Sequence, residues 1–365
     1  MSEIRLTPPD LKVVATAVVV SNIPVKSKAK YEKAYSTFLA WCAQNNVPDK
    51  YFTANILIAY FEHEKKTKAP STLWSIYSKL KKTLLARESV DIGSKTFKVV
   101  KEQIKSYGVD YQPKKSLLFS LEEIYTFCRD SDDQIYLAMK AIALLGMTGA
   151  LRHTEIYSLN LEDIQDRGTE LLVTIRSTKP HRSKSFIVQQ HPDPLVDPVK
   201  IYRKYIALRP EPERLNKAKV PVNGPVWLRY ERGKCSAQRI GKKTIAAMPT
   251  RIATFLKLAS PEAYTGHAFR RTGATAAVNN GADLLQLKAL GDWKSDAVAQ
   301  GYLEDSEPAK RKRAAMVQGL PASKEMRLEV PPSVTNPIFN ITGCGSVNIN
   351  YIATPVDDVG TEKKK

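Results

Sequence analysis

Residues 265–306 read TGHAFRRTGATAAVNNGADLLQLKALGDWKSDAVAQGYLEDS, and this stretch decides how the whole chain is interpreted. His267 and Arg270 stand three residues apart, so they lie on one face of a predicted helix. Trp293 follows a second helical segment, and Tyr302 comes nine residues after it. A histidine, an arginine and two aromatic side chains are therefore collected in one short helical region.

Two further segments upstream carry charged side chains of the same kind. Arg152 lies in GMTGALRHTEIYSL (146–159), directly after a long apolar helix, and Glu155 follows three residues later. Lys179 lies in RSTKPHRSKS (176–185), at the tip of a β-hairpin predicted from two runs rich in β-branched residues. Lys184 lies in the same hairpin, but Lys179 holds the first turn position, which favours it over Lys184.

These residue types fit chemistry on a phosphodiester. Such a reaction needs a nucleophile, a general acid for the leaving oxygen, and fixed positive charge where negative charge develops on phosphate oxygens. Arginine suits the last role because its guanidinium stays ionised and binds phosphate with two hydrogen bonds. The candidate set is Arg152, Lys179, His267, Arg270, Trp293 and Tyr302.

The order and spacing of this set resemble those of the tyrosine recombinases, which include phage and bacterial integrases and the Cre recombinase. The resemblance covers about residues 27–320. The strings GDWKSDAVAQGYLEDS (291–306) and PSTLWSIYSKLKKTL (70–84) also resemble the recombinases of Crypton-type eukaryotic transposons.

The resemblance implies a role for each member of the set. Tyr302 would be the nucleophile and would form a 3′-phosphotyrosyl intermediate. Arg152 and Arg270 would clamp the scissile phosphate. Lys179 would protonate the leaving 5′-hydroxyl, and His267 would assist proton transfer.

Two more residues have implied roles, and two positions depart from the family pattern. Trp293 would donate its indole N–H to a phosphate oxygen, and Glu155 would orient the first arginine and the histidine from behind. Residues 149–152 read Gly-Ala-Leu-Arg where many members have Gly-Leu-Arg, and Asp292 stands where a second small residue is common. No metal, ATP or other cofactor is expected, because the arginines supply the positive charge.

We expect a mainly α fold with a small β-sheet, and the resemblance implies that it is organised as a two-domain clamp around duplex DNA. The predicted parts are a flexible arm (1–26), a helical SAM-like core-binding domain that binds DNA (27–112), a tyrosine-recombinase catalytic domain (113–322) and a disordered tail (323–365). The proline-rich stretch 192–249 gives mixed signals, and helix is predicted again only from Thr250.

The helix that begins at Pro70 is the strongest candidate for DNA contact in the first domain. Its apolar side chains recur at helical spacing, and a polar face lies opposite them. A helix with such a face could enter a major groove. The candidate contacts are Trp74, Ser75, Ser78, Lys79 and Lys82, although Trp74 fits the core slightly better than a DNA contact.

The charge of the chain agrees with a nucleic-acid partner. The 365 residues carry a formal net charge of +19, and residues 26–115 alone hold 18 Lys and Arg against 8 Asp and Glu. Lysine and arginine displace the counterions condensed on a phosphate backbone. The four cysteines stand far apart, which disfavours a disulfide scaffold or zinc site, and no membrane span is predicted.

Double-stranded DNA is the expected partner, and the resemblance implies that further copies of the chain join it as a tetramer on two DNA sites. Residues 310–313 (KRKR) resemble a nuclear localisation signal and equally suit the basic end of a helix. Nuclear localisation is expected if the host is eukaryotic. Two alternatives are a recombinase-derived DNA-binding protein without strand exchange and a type IB topoisomerase.

Overall fold

The computed structural model describes residues 25–176 and 183–319, together with Val18 and Ile23. The chain forms two compact units that divide between Lys115 and Ser116. Most of the predicted arm, the hairpin tip with Lys179 and the predicted tail lie outside the described residues. Within the described residues, no helix is long and apolar enough to cross a membrane.

The first unit is built from helices. They are α1 (Lys28–Gln44), α2 (Ala54–Lys65), α3 (Pro70–Glu88) and α4 (Lys98–Ser106), with single 3-10 turns at Val25–Ser27 and Lys95–Phe97. Thr53 caps α2 by accepting a hydrogen bond from the Ile56 N–H, and Pro70 occupies the first turn of α3, where its missing N–H costs no intrahelical bond.

An aromatic core holds these helices together. Phe38 of α1 lies 4.9 Å from Tyr60 of α2, ring centre to ring centre, in the edge-on arrangement that aromatic quadrupoles favour. From α3, Leu73, Ile76 and Leu80 are buried in the same core. The predicted apolar stripe of α3 is therefore the buried face.

The polar face of α3 is open to solvent. Ser75, Ser78 and Lys82 are exposed, whereas Lys79 and Trp74 are partly buried. Trp74 packs against the aromatic core, with its ring edge-on to that of Tyr77 at 5.8 Å. Trp74 thus contributes to the core while still lying at its margin.

The second unit contains most of the helices and both sheets. Its helices are α5 (Leu121–Asp130), α6 (Asp133–Thr148), α7 (His153–Ser158), α8 (Pro198–Ile206), α9 (Pro212–Lys217), α10 (Lys242–Phe255), α11 (Ala268–Asn279), α12 (Leu284–Gly291), α13 (Asp296–Asp305) and α14 (Glu307–Val317). Single 3-10 turns occur at Leu161–Asp163 and Pro261–Ala263. Residues 137–147 of the apolar α6 are all buried, so this helix forms the centre of the unit.

Two antiparallel sheets flank this helical core. The predicted hairpin is present as β2 (Glu170–Arg176) and β3 (Ser183–Gln189), and a short strand β1 (Ile164–Asp166) extends it to three strands in the order β1-β2-β3. A second hairpin, β4 (Leu228–Glu231) and β5 (Lys234–Arg239), was not predicted from the sequence.

The start of α10 also differs from the sequence-based expectation. The helix begins at Lys242, eight residues before the predicted Thr250, and therefore contains Pro249. A proline inside a helix removes one backbone hydrogen bond and normally disfavours the conformation. Pro249 is buried, together with Ile245, Met248 and Ile252, so apolar packing offsets the lost bond.

A separate small cluster holds the last part of the chain. Its buried members are Ala274, Val278, Leu287, Trp293 and Ala299, with Leu284, Tyr302 and Leu303 packed against them. The helices α11, α12 and α13 all contribute to it. The part of the motif with Trp293 and Tyr302 therefore packs in its own local cluster, whereas Ala268 and Phe269, beside Arg270, belong to the main core.

Candidate active site

Arg152 directly precedes α7, and Glu155 holds it in place. One Glu155 carboxylate oxygen accepts the Arg152 backbone N–H at 2.9 Å, and the other accepts a guanidinium N–H of the same residue. The Arg152 side chain is 40% exposed, whereas that of Glu155 is only 18% exposed. Glu155 therefore fixes a largely accessible arginine, while no hydrogen bond between Glu155 and His267 is found among the described residues.

The turn before Arg152 contains an unusual backbone conformation. Ala150 has φ +44°, in the left-handed region that a side chain with a Cβ disfavours. Its N–H bonds to the Met147 carbonyl at 3.0 Å, which lies in the last turn of α6. This is one of the two departures from the family pattern, and it places an alanine where glycine would fit without strain.

Arg270 is the most buried charged side chain of the site. It is 4% exposed, and its two terminal nitrogens donate to the Ala150 carbonyl at 2.8 Å and to the Gly291 carbonyl at 2.6 Å. Burial, reinforced by the neighbouring charge of Arg152, lowers the pKa of Arg270 to about 10. The guanidinium therefore stays charged at neutral pH, and about three of its five N–H donors stay available for a ligand.

Trp293 joins Arg270 to Tyr302. The Arg270 guanidinium lies 4.3 Å from the centre of the Trp293 ring, in a cation–π contact, and the Tyr302 ring lies 5.2 Å from it. The tryptophan ring lies so close to Gly291 that a Cβ there would come within 2.2 Å of it. Trp293 is 9% exposed, and Tyr302 is partly buried against it.

Asp292 connects Gly291 to Trp293 and is the second departure from the family pattern. It is the C-cap of α12 and adopts φ +50°, a left-handed conformation that aspartate tolerates better than most residues. Its side chain is exposed. The left-handed backbone conformation at the end of α12 therefore explains why an aspartate occupies this position.

His267 stands at the start of α11 and is exposed, one turn before Arg270. Its ring meets that of His153 edge-on, with 6.1 Å between ring centres. Burial lowers the pKa of His153, and the neighbouring charges of His267 and Lys242 lower it further. His153 is therefore a neutral neighbour of His267 near pH 7, which the sequence pattern did not reveal.

The described residues of the site supply cations and a phenol, which phosphate chemistry can use. Arg152, Arg270 and His267 provide cationic or hydrogen-bonding groups, and Tyr302 provides a phenol that lies against the same tryptophan as Arg270. Among the described residues, no group of three or more His, Cys, Asp or Glu side chains could hold a metal ion.

Comparison with known families agrees with this arrangement. The sequence model of the phage integrase family matches residues 117–308, which is more than half of the chain. The chain belongs to this family. It is accordingly a tyrosine-type DNA recombinase or integrase, as the sequence predicted.

Solved tyrosine recombinases share the fold of this integrase-family chain at low sequence identity. The Tn1549 transposon integrase in complex with circular intermediate DNA is 16% identical, with 81% of this chain and 95% of that chain covered at a TM-score of 0.53. A lambda integrase dimer bound to a COC′ core site is 17% identical, with 81% and 95% covered at a TM-score of 0.51. The comparison with curated protein sequences found no match.

Lys184 is a cation of this recombinase site, although the sequence interpretation favoured Lys179 over it. Lys184 of β3 donates to the Gly149 carbonyl at 3.1 Å and to the Leu290 carbonyl at 3.2 Å, and it lies 4.0 Å from Glu155. The predicted Lys179 lies outside the described residues, so its place remains a prediction. Which of the two lysines in the hairpin faces the site depends on the strand register, and the sequence alone does not give that register. In the observed register, Lys184 faces the site.

Arg271, the neighbour of Arg270, does not belong to the site. Its guanidinium donates to the Ser116 backbone carbonyl at the beginning of the second unit. This leaves Arg270 as the arginine of α11 that faces Trp293.

Proposed function

We propose that this recombinase cuts and rejoins DNA strands by transesterification at Tyr302. The Tyr302 oxygen attacks the scissile phosphorus, the bond from phosphorus to the 5′-oxygen breaks, and a 3′-phosphotyrosyl bond forms. The departing 5′-oxygen takes up one proton, and the phenol loses one. The reverse attack by a 5′-hydroxyl rejoins the strand, so the bond energy is retained without ATP.

The contact chain from Arg270 through Trp293 to Tyr302 carries this proposal. It holds a phenol and a buried, charged guanidinium on one aromatic ring. Preorganised cations stabilise the charge that develops on phosphate oxygens, since they need no rearrangement during the reaction. Arg152 adds a second, more accessible guanidinium that Glu155 keeps oriented.

The remaining roles follow from the family assignment. Lys179 protonates the leaving 5′-oxygen, His267 assists proton transfer and contacts the phosphate, and Trp293 donates its indole N–H to a phosphate oxygen. Because the cations are side chains, we expect cleavage to proceed in EDTA.

Duplex DNA is the proposed partner of both units. Structures of the Tn1549 and lambda integrases in complex with DNA support this, together with the excess of Lys and Arg in residues 26–115. In the first unit, the exposed Ser75, Ser78 and Lys82 of α3, with Lys79 and Trp74 beside them, form the proposed DNA-contact face. Replacing Lys82 by alanine should weaken binding by a similar factor for all sequences and reduce the salt slope by about one.

Integration or excision of a mobile element is the proposed biological reaction, carried out by a tetramer on two DNA sites. The Tn1549 integrase bound to a circular intermediate supports an element-mobilising role. We further propose that the exposed basic residues 310–313 of α14 serve as a nuclear localisation signal in a eukaryotic host.

A covalent trapping experiment tests the proposal. Purified protein is incubated in EDTA with a library of nicked duplexes that carry a random central sequence, and covalent complexes are isolated on a denaturing gel and sequenced. We expect a band with the wild type and with Tyr111→Phe, an exposed tyrosine of the first unit, but none with Tyr302→Phe.

Each other outcome points to a different function. Binding without a covalent band would indicate a DNA-binding protein that no longer exchanges strands. A covalent band, accompanied by relaxation of supercoils at concentrations where the protein is monomeric, would indicate a topoisomerase instead.

A further inference from the structure

Lys184 bonds to the ends of two different helices. Its ammonium donates two hydrogen bonds. One goes to the carbonyl of Gly149, which is the C-cap of α6, and the other goes to the carbonyl of Leu290 in the last turn of α12. Carbonyls at helix C-termini lack intrahelical partners and carry the negative end of the helix dipole. The Lys184 ammonium therefore supplies hydrogen-bond donors to one carbonyl at each helix end.

Arg270 also donates two hydrogen bonds, each to the carbonyl one residue after a carbonyl that Lys184 binds. Lys184 binds the carbonyls of Gly149 and Leu290, whereas Arg270 binds those of Ala150 and Gly291. The two cations thus connect the same two chain segments side by side. The first segment leads to Arg152, and the second leads to Trp293.

We propose that Lys184 is a positioning residue of the cleavage site, which fixes the segment that carries Arg152 to the segment that carries Trp293. This inference rests on the proposed function, because it assigns Lys184 a role in the same reaction. Lys184 acts through the backbone, so it is distinct from Lys179, the proposed general acid.

The surroundings of Lys184 support a structural cation that is sensitive to pH. Its side chain is only 14% exposed. Burial lowers its pKa to about 8, Arg270 and Arg152 lower it as well, and Glu155 and Asp292 act in the opposite direction. Loss of the proton leaves two N–H donors and removes the charge that the two helix ends attract.

Single-turnover cleavage of a duplex recovered from the trapping experiment tests the role. We expect Lys184→Met to cleave at least tenfold more slowly than the wild type, with DNA affinity within about twofold. Lys184→Arg, which keeps its charge at all accessible pH values, should recover part of the rate and should lose the wild-type decline in rate above about pH 8. Lys200→Met, an exposed lysine of α8, is the matched control.

A substrate with sulfur in place of the bridging 5′-oxygen separates positioning from proton donation. A thiolate leaves without protonation, so this substrate should restore cleavage by a variant that lacks the general acid, as expected for Lys179→Ala. It should leave Lys184→Met as slow as before. Restoration of Lys184→Met, or wild-type rates on both substrates, would overturn the positioning role.

Backbone hydrogen exchange tests the same inference without relying on activity. We expect Lys184→Met to exchange its amides at 149–152 and 290–293 at least tenfold faster than the wild type and Lys200→Met, with protection of the first unit unchanged. Unchanged exchange in these two segments would overturn the inference. If the wild type forms no covalent complex, the proposed function fails, while the exchange result still decides whether Lys184 joins the two segments.

Discussion

Gly273 of α11 lies where two helices approach each other most closely, which makes Gly273→Ala a sharp test of how the site is assembled. A Cβ at this position would lie 1.9 Å from the Met147 carbonyl oxygen of α6. This oxygen belongs to the helix backbone, so it cannot move aside as a side chain can by changing its rotamer. The added methyl group can therefore be accommodated only if α11 and α6 move apart.

The size of this movement follows from the contact distance. An ordinary contact needs about 3.4 Å, so the helices must separate locally by about 1.5 Å. Overpacking of this kind typically costs about 1–3 kcal/mol, and we expect the upper end because no side chain can yield. For a unit of this size, about 3 kcal/mol corresponds to a fall in Tm of roughly 6–12 °C.

Activity should fall further than stability implies. The Met147 carbonyl accepts the Ala150 N–H, and the turn at Ala150 leads directly to Arg152. Arg270, on α11 itself, bonds to the Ala150 carbonyl. A displacement of about 1 Å in such a site can cost about 100-fold in rate, so we expect roughly that loss in single-turnover cleavage at a temperature where Gly273→Ala is folded.

The assay compares Gly273→Ala with Gly301→Ala, a helical glycine of α13 whose added Cβ meets nothing within 4 Å. Thermal unfolding followed by circular dichroism gives the stability, and the covalent trapping assay gives the rate. Equal stability of Gly273→Ala and Gly301→Ala would refute the close approach of α6 and α11. A destabilised variant with a normal cleavage rate would refute the coupling of this approach to Arg152.

Three further predictions concern the same site. Ala150→Gly should raise the free energy of unfolding by about 1 kcal/mol, measured by urea denaturation, because it relieves a left-handed alanine. Trp293→Ala should lower the cleavage rate at least tenfold, whereas Trp293→Phe, which keeps an aromatic face for Arg270, should retain more of it. Lys184 has a folded pKa of about 8, below its ordinary 10.5, so the unfolded chain binds more protons between these values. The wild type should therefore gain up to about 3 kcal/mol relative to Lys184→Met as pH rises from 8 to 10.5; a constant difference in urea denaturation would contradict this.

The helices of the fold could be predicted wherever the apolar period was long. The stripe of α3 and the long apolar α6 were predicted to within a few residues. The hairpin β4–β5 was missed, because its strands are short and polar and their pairing comes from tertiary contacts. The start of α10 was predicted too late, because Pro249 disfavours a helix locally and the burial that offsets this cost is not visible in the sequence.

The candidate site was predictable in its motif residues and not in the contacts that support them. The spacing of His267, Arg270, Trp293 and Tyr302 was readable because these residues share one continuous helical stretch. The bond of Arg270 to Ala150 spans 120 residues of the chain and that to Gly291 spans 21, and periodicity cannot reveal such contacts. The role of Lys184 likewise depends on strand register.

The small cluster around Trp293 has a consequence for how the enzyme fails when it is heated. Five buried residues, two of them alanines, form the described cluster against which Tyr302 packs, whereas most of the second unit shares one extensive core. Segments with little buried apolar surface open at a lower free-energy cost than the global transition. The temperature at which cleavage stops should therefore lie below the melting temperature. The lost activity should return on cooling, because the main core, against which the segment refolds, stays folded.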